Sequence, residues 1–270
     1  MHDRKEIKYD VKDASQLLKR KKISLSEIVS ILNQHPSNIK LVTVSLFYMW
    51  QHTTRYSSDP EEEVYISSAI ESTLSVMRRH PLKHEIQDAG CGIFLNFSAK
   101  SGPGYLCNSA NKIVESIVRA MRLHLKNISL QARGCGALMN MAVNPVFVSL
   151  ISSCGAIDVI VDSMRSNKNK EKVQNRACGA LQNLATIAGN CELIYNIGGV
   201  ELIVIAMKKH EKSEELNLHA IGAIRNLSNY GDALDQLRDL NAKIQIEKAK
   251  KKFISIQQNS VTEKTLEKLS

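Results

Sequence analysis

The feature that most constrains this chain is an internal repeat. Four segments align without gaps: QDAGCGIFLNF at 87–97, QARGCGALMNM at 131–141, QNRACGALQNL at 174–184 and NLHAIGAIRNL at 217–227. Successive copies are 44, 43 and 43 residues apart. Periods of this size are typical of proteins whose units cannot bury an apolar face alone and therefore stack on their neighbours.

Two further columns keep the same period. The first column is methionine, at Met77, Met121, Met164 and Met207. The second is an acid six residues before each methionine, at Glu71, Glu115, Asp158 and Glu201. Three independent columns with one spacing indicate a repeat architecture rather than a chance similarity between segments.

The third copy shows what one unit contains. Residues 156–164 (AIDVIVDSM) carry apolar side chains at helical spacing, and Asp158 suits the positive end of a helix. A short helix is predicted before it at 145–152, and a long helix after the polar turn NKNKEK, from about Val173. Only 5% of the residues are aromatic, which favours helices over a β-sandwich. The sequence therefore predicts an all-α fold with three helices per unit.

Three segments carry a resemblance to a known family. ACGALQNLA at 177–185 and GCGALMNMA at 134–142 resemble the third helix of armadillo repeats, and NIGGVELIVIAMKKH at 196–210 resembles the linker and second helix. The resemblance spans roughly residues 25–240 and is closer to vacuolar-protein-eight-like and β-catenin-like repeats than to importin-α. It implies a right-handed α-solenoid of armadillo repeats, with three helices per unit of about 43 residues.

The ends of the chain are weaker copies. We expect a basic lead-in at 1–24, a degenerate capping repeat at 25–56, central repeats at 57–230 and a degenerate Lys-rich cap at 231–270. Helices are predicted in the last region at 231–240, 243–253 and 262–269. Terminal units of a solenoid need a polar outer face, which explains why both ends lack the full motif.

The sequence predicts no catalytic, cofactor or metal site. Three of the six cysteines occupy one repeat column and are predicted to be buried thiols: Cys91, Cys135 and Cys178. Three histidines recur at predicted helix ends, where they suit capping better than ligation: His80, His124 and His210. No phosphate-binding loop, nucleophile elbow or zinc-protease motif is present. We therefore expect a protein that is not an enzyme and has no small-molecule substrate.

The candidate binding residues lie on the third helices. Four asparagines form one column, Asn96, Asn140, Asn183 and Asn226, and His52 takes the corresponding place in the degenerate first repeat. Each amide could bond to the backbone at its own helix end. Alternatively, as the armadillo resemblance implies, the amides form a ladder that holds an extended peptide backbone through a donor and an acceptor.

Glycines stand four residues before each asparagine, at Gly92, Gly136, Gly179 and Gly222. Glycine is a poor helix former, so four in register indicate a need for space, either for a neighbouring helix or for a ligand backbone. Importin-α carries tryptophan at this position to clamp basic peptides. This chain has no tryptophan there, because Trp50 lies outside the column, so an importin-α-like transport adaptor is the alternative rather than the leading hypothesis.

A third set of positions sets the charge of this face. Seven residues before three of the asparagines stand Arg133, Arg176 and His219, and Arg225 directly precedes Asn226. Arginine binds carboxylates and phosphates bidentately. The sequence thus predicts a scaffold or adaptor that binds an extended acidic or phosphorylated peptide in the groove formed by the third helices. An assembly factor that docks folded partners through its caps or convex face is a further alternative.

The net charge of +9 is concentrated partly at the ends, in KRKK at 19–22 and KAKKK at 248–252. These stretches could contact anionic lipid headgroups, but they lack the interleaved aromatic residues that single-stranded nucleic acid favours. The N-terminal MHDRKEIKYD has no apolar secretory core and no glycine at position two, so neither a signal peptide nor N-myristoylation is predicted. We expect a cytoplasmic protein with access to the nucleus.

Overall fold

The computed structural model describes residues 9–19, 23–55, 60–100 and 104–270, and it is all-α. Most of the basic stretch at 19–22, the first eight residues and the boundary near 56 lie outside the described residues. The chain divides into two compact units, Met1–Leu123 and His124–Ser270.

The helices of the first unit are α1 (Val11–Leu17), α2 (Leu25–Gln34), α3 (Ile39–Arg55), α4 (Pro60–Arg79), α5 (His84–Lys100), α6 (Gly104–Cys107) and α7 (Ala110–Leu123). Ser24 begins α2 with a capping box: its hydroxyl accepts from the backbone N–H of Glu27, whose carboxylate accepts from the backbone N–H of Ser24. Helix α1 lies within the segment predicted as a lead-in. Its residues Ala14 and Leu17 are buried.

The helices of the second unit are α8 (Ile128–Met141), α9 (Pro145–Ser153), α10 (Ala156–Ser166), α11 (Glu171–Leu184), α12 (Ala188–Asn196), α13 (Gly199–Lys209), α14 (Glu214–Leu227), α15 (Gly231–Asp239), α16 (Ala242–Lys252), α17 (Ile254–Gln257) and α18 (Ser260–Leu269). They recur as a short helix, a second helix and a long third helix: α9–α10–α11, then α12–α13–α14. The third helices of this unit are thus α8, α11 and α14, and α5 is the corresponding helix of the first unit.

A left-handed residue separates the short helix from the second helix. Gly155 (φ 72°) and Gly198 (φ 79°) hold this place in two sets, and Asn241 (φ 56°) holds it in the last. Residues with a β-carbon rarely adopt this conformation, asparagine being among the most tolerant. In the first copy the equivalent position is Ser68, and α4 continues through it as one helix of 20 residues. The prediction of a short helix before every second helix is therefore wrong for this copy.

Within each unit, a column of amides joins a second helix to the third helix that follows. Nε2 of Gln174 donates to the carbonyls of Met164 and Asn167, both at 3.0 Å. Nε2 of Gln87 does the same to Met77 (2.8 Å) and His80 (3.0 Å) in the first unit. These bonds tie the C-terminal turn of the second helix to the third helix, although the carbonyls of His80 and Asn167 also accept from the backbone N–H groups of Lys83 and Lys170. All four column methionines are buried.

In the described ranges no single helix is long and apolar enough to cross a membrane. Two helix pairs, α9 with α10 and α12 with α13, meet the length and composition criteria only when taken together across bends of 76° and 75°.

Candidate functional site

The third helices of the second unit pack side by side, α8 on α11 and α11 on α14. A β-carbon added at Gly179 would come within 2.4 Å of the sulfur of Met139 on α8, and one at Gly222 within 2.5 Å of the amide of Gln182 on α11. The space at both glycines is therefore filled by the preceding helix. The alternative in which a ligand backbone enters this space is wrong at these two positions.

The asparagine column also connects consecutive helices. Nδ2 of Asn183 donates to the carbonyl of Met139 (3.0 Å), and Nδ2 of Asn226 donates to the carbonyl of Gln182 (2.8 Å). Both carbonyls belong to the residue just before the asparagine of the preceding unit, and both amides are only half-buried. The bond is not local: it runs to the preceding third helix. It uses one N–H of a group that has two, and it leaves Oδ1 as an acceptor.

Asn96, the column asparagine of the first unit, has different hydrogen-bond partners. Nδ2 of Asn96 on α5 lies within hydrogen-bond distance of the carbonyl of Trp50 (3.2 Å) and of the hydroxyls of Thr53 (2.9 Å) and Thr54 (3.0 Å) on α3. His52, predicted to replace asparagine in the first repeat, is half-buried on the same helix. Asn140 on α8 is half-buried and occupies the same column as Asn183.

The basic residues stand where the helical spacing predicts. Arg133, Arg176 and His219 lie at equivalent positions of α8, α11 and α14, and each is half-exposed. Arg176 makes no hydrogen bond or ion pair with any residue that the structure describes. Its guanidinium is therefore available to an anion.

His219 contributes little positive charge to this face. Burial lowers its pKa below the ordinary value, and the nearby charge of Arg176 lowers it further, against opposing effects of Glu215 and Asn175. Nδ1 of His219 lies 2.8 Å from Oδ1 of Asn175, which can only accept, so this nitrogen carries the hydrogen. Arg133, Arg176 and His219 form one row across α8, α11 and α14. At pH 7 the positive charge of this row thus comes from the two arginines.

Arg225 marks the end of the face near α18. It lines an open pocket together with Asn229, Lys264, Glu267 and Lys268, and its guanidinium has no ion-pair partner in the described ranges. Three of these side chains are cationic and one is anionic, so the pocket extends the positive character of the row beyond Arg176.

The cysteine column is buried, as predicted. Cys91, Cys135 and Cys178 have no exposed surface. Burial raises the pKa of Cys135 and of Cys178 to about 12, so both stay protonated and are poor nucleophiles at neutral pH. No group of three or more His, Cys, Asp or Glu side chains among the described residues is arranged to hold a metal ion.

One further column opens all four aligned segments, but the sequence pattern predicted no role for it: Gln87, Gln131, Gln174 and Asn217. Their bonds to carbonyls at the end of the preceding second helix make them structural. The histidines at the helix ends also reach further than a cap: Nε2 of His80 bonds to the carbonyl of Pro36 (2.7 Å), and Nε2 of His210 bonds to that of Lys168 (3.0 Å). Each bond joins turns one repeat apart.

No protein-family model and no curated protein sequence matches the chain. Among solved structures, the crystal structure of an engineered protein from the Northeast Structural Genomics Consortium superposes with a TM-score of 0.74 and 18% sequence identity. The match covers 92% of this chain and 97% of the engineered one. The two chains share a fold. At this level of identity the likeness concerns the fold alone.

Proposed function

We propose that the chain is a right-handed α-solenoid of armadillo-type repeats. The proposal is supported by the period of 44, 43 and 43 residues in the sequence and by the sets of short, second and third helices in the second unit. Asn183 and Asn226 add a hydrogen bond between consecutive third helices in the same register. Repetition of one contact at each step is the property that defines a solenoid.

On that fold, the chain acts as a non-enzymatic scaffold or adaptor, and it binds an extended acidic or phosphorylated peptide along the face of its third helices. The observation that carries this function is the row on α8, α11 and α14, where half-exposed amides recur on all three helices and arginines recur on α8 and α11 at the same spacing. A period that matches between helices lets one continuous ligand meet equivalent groups at each step. No cofactor is needed for this function.

The hydrogen bonds between third helices preorganise the asparagine amides for such a ligand. The bond from Nδ2 of Asn183 to Met139 fixes the side chain, so the remaining N–H and Oδ1 lose little conformational freedom when they meet a peptide backbone. Arg176, which has no anionic partner in the part of the chain described here, would pair with a carboxylate or phosphate of the ligand. The pocket at Arg225 would receive a further acidic group.

The experiment uses two fluorescent peptides of 12 residues, one alternating Glu and Ser and the other alternating Lys and Ser. We expect the chain to bind the Glu peptide more tightly by fluorescence anisotropy, with an affinity that falls as salt is added. Asn140→Ala combined with Asn183→Ala should weaken that binding by roughly 2–4 kcal/mol if the two losses add.

The result also separates the alternatives. Preference for the Lys peptide would favour the importin-α-like transport adaptor and contradict our proposal. A third outcome is weak binding that is equal for the two peptides and is the same in the asparagine variant. It would favour an assembly factor that docks through its caps or convex face.

A further inference from the structure

A second polar cleft lies between α4 and α7 of the first unit, apart from the third helices. Its volume is about 420 Å³, and Leu74 and Ser116 form its buried floor. Its charged lining consists of Glu71, Arg78, Lys112, Glu115 and Arg119. Cations thus outnumber carboxylates by three to two in this lining.

Both carboxylates already have partners. Oε1 of Glu71 accepts from the hydroxyl of Ser109 (2.8 Å) and from Nζ of Lys112 (3.2 Å). The Ser109 hydrogen bond, chiefly, and the neighbouring cations lower the pKa of Glu71 despite partial burial. Oε1 of Glu115 accepts from the amide of Asn111 (2.9 Å). Neither acid therefore needs an arginine to satisfy its oxygens.

The guanidinium groups of Arg78 and Arg119 differ from the carboxylates in this respect. Arg78 is close enough to Glu71 to help lower its pKa, yet neither Arg78 nor Arg119 makes a hydrogen bond or ion pair with any residue in the described ranges. The two positive charges repel each other, and both carboxylates of the cleft are bonded to other groups, so a further anion between the arginines would be stabilised.

In the second unit, the arginine at the same repeat position as Arg78 is bonded to other residues of the chain. Arg165 occupies the position of Arg78, directly after the column methionine. Its guanidinium bonds to Asp162 (2.5 Å) and to the carbonyl of Ile197 (2.7 Å). The position of Asp162 is held by Ser75 in the first copy and by Arg119 in the second. Where the third copy has an acid that pairs with its arginine, the cleft therefore has the hydroxyl of Ser75 and the additional cation Arg119.

We propose that this cleft binds a phosphate monoester or inorganic phosphate between Arg78 and Arg119. A guanidinium donates two parallel N–H bonds to an oxyanion, so two such groups can hold a tetrahedral phosphate from two sides. The hydroxyl of Ser75, which lines the cleft, supplies a third donor. No residue of the third helices lines this cleft, so the proposal stands or falls separately from the peptide-binding function.

The test is a titration of the full ¹⁵N-labelled chain, followed by the amide signals of Ser75 and Ser116. O-phosphoserine and inorganic phosphate are added in separate arms, with glutamate and chloride at matched ionic strength as controls. We expect saturable shifts at these amides with both phosphates. Stronger binding of phosphoserine would identify a phosphorylated side chain as the source, and equal binding would identify phosphate itself.

Arg78→Gln with Arg119→Gln should weaken phosphoserine binding by about tenfold or more, because the charge-assisted bonds are lost. Arg79→Gln changes the net charge at the adjacent exposed residue and should leave binding within about twofold, since an exposed charge outside the site acts only at long range. Arg119→Asp is a second variant that keeps the fold, because Asp162 stands at this position in the third copy.

Three results would contradict the proposal that this cleft binds phosphate. One is an equal response to chloride or glutamate. Another is unchanged phosphoserine binding in Arg119→Asp. The last is an equal loss in Arg79→Gln, which would reduce the effect to general charge.

Discussion

At Asn183 a single amide bonds to the carbonyl of Met139 on the preceding helix, and removing it leaves that carbonyl without its partner. Asn183→Ala should therefore lower the free energy of unfolding by about 1–2 kcal/mol. Chemical denaturation measures this change directly. Asn169→Ala is the matched control, because Asn169 is exposed in a turn and its single bond within the described part of the chain is to exposed Lys209. Equal stability of the two variants would contradict the bridging role of Asn183.

The buried thiols give a prediction about alkaline pH. The pKa of Cys135 and of Cys178 rises to about 12 in the folded chain from an ordinary value of 9.0. A raised folded pKa contributes stability that is present below about pH 9 and is lost as the pH rises towards 12. At pH 10 each thiol should cost the folded state about 1 kcal/mol relative to pH 7.

The measurement is the loss of stability between pH 7 and pH 10 in wild type and in Cys135→Ala with Cys178→Ala. The variant should lose less over this interval. Cys107→Ala, at an exposed cysteine, should behave as wild type. An identical loss in all three proteins would show that other groups determine the alkaline transition.

At the residue scale, the sequence predicted the positions of the candidate site residues on their helices, but it did not predict which groups their side chains bond to. The spacing placed Asn183, Asn226 and the arginines on one row, because helical geometry follows from residue number alone. The acceptors on Met139 and Gln182 come from the neighbouring helix, and the distance between helices depends on packing at Gly179 and Gly222. Local propensity contains no information about that distance.

At the scale of the element, the breaks between helices depend on backbone conformation. Gly198 adopts φ 79°, and an added β-carbon would meet nothing closer than 3.8 Å. Gly198→Ala should therefore cost about 1–2 kcal/mol from backbone strain alone. Gly189 lies within α12 with open space around it, so Gly189→Ala should be neutral or should stabilise by up to about 1 kcal/mol. Thermal melting of both variants checks the pair, and only Gly198→Ala should melt at a lower temperature than wild type.

Most helices near the C-terminal end were predictable from the sequence pattern. The C-terminal helices predicted at 231–240, 243–253 and 262–269 are found as α15, α16 and α18 with ends within two residues. The continuous α4 was not predicted, because repetition of the other columns concealed the change from glycine to Ser68. Helix α17 was missed as well, since four residues are too few to show a periodicity.

At the scale of the whole molecule, stacking should depend on the phase of the repeat. Deletion of residues 143–185 removes α9, α10 and α11 together, so α8 is followed by α12 with the same spacing. Deletion of 156–176 removes α10 with the start of α11 and exposes apolar faces. We expect the first variant to melt cooperatively and the second to lose cooperativity by circular dichroism. Cooperative melting of both would contradict the repeat assignment.

The proposed function rests on the charge of the third-helix face, and exchanging that charge tests it most directly. The measurement is the ratio of dissociation constants for the Glu and Lys peptides, in wild type and in Arg133→Glu with Arg176→Glu. Lys126→Glu with Lys212→Glu reverses the same number of charges at exposed positions in turns and serves as the control. We predict that the arginine variant reverses the preference towards the Lys peptide while the control keeps the wild-type ratio. The same ratio in all three proteins would contradict peptide binding on this face.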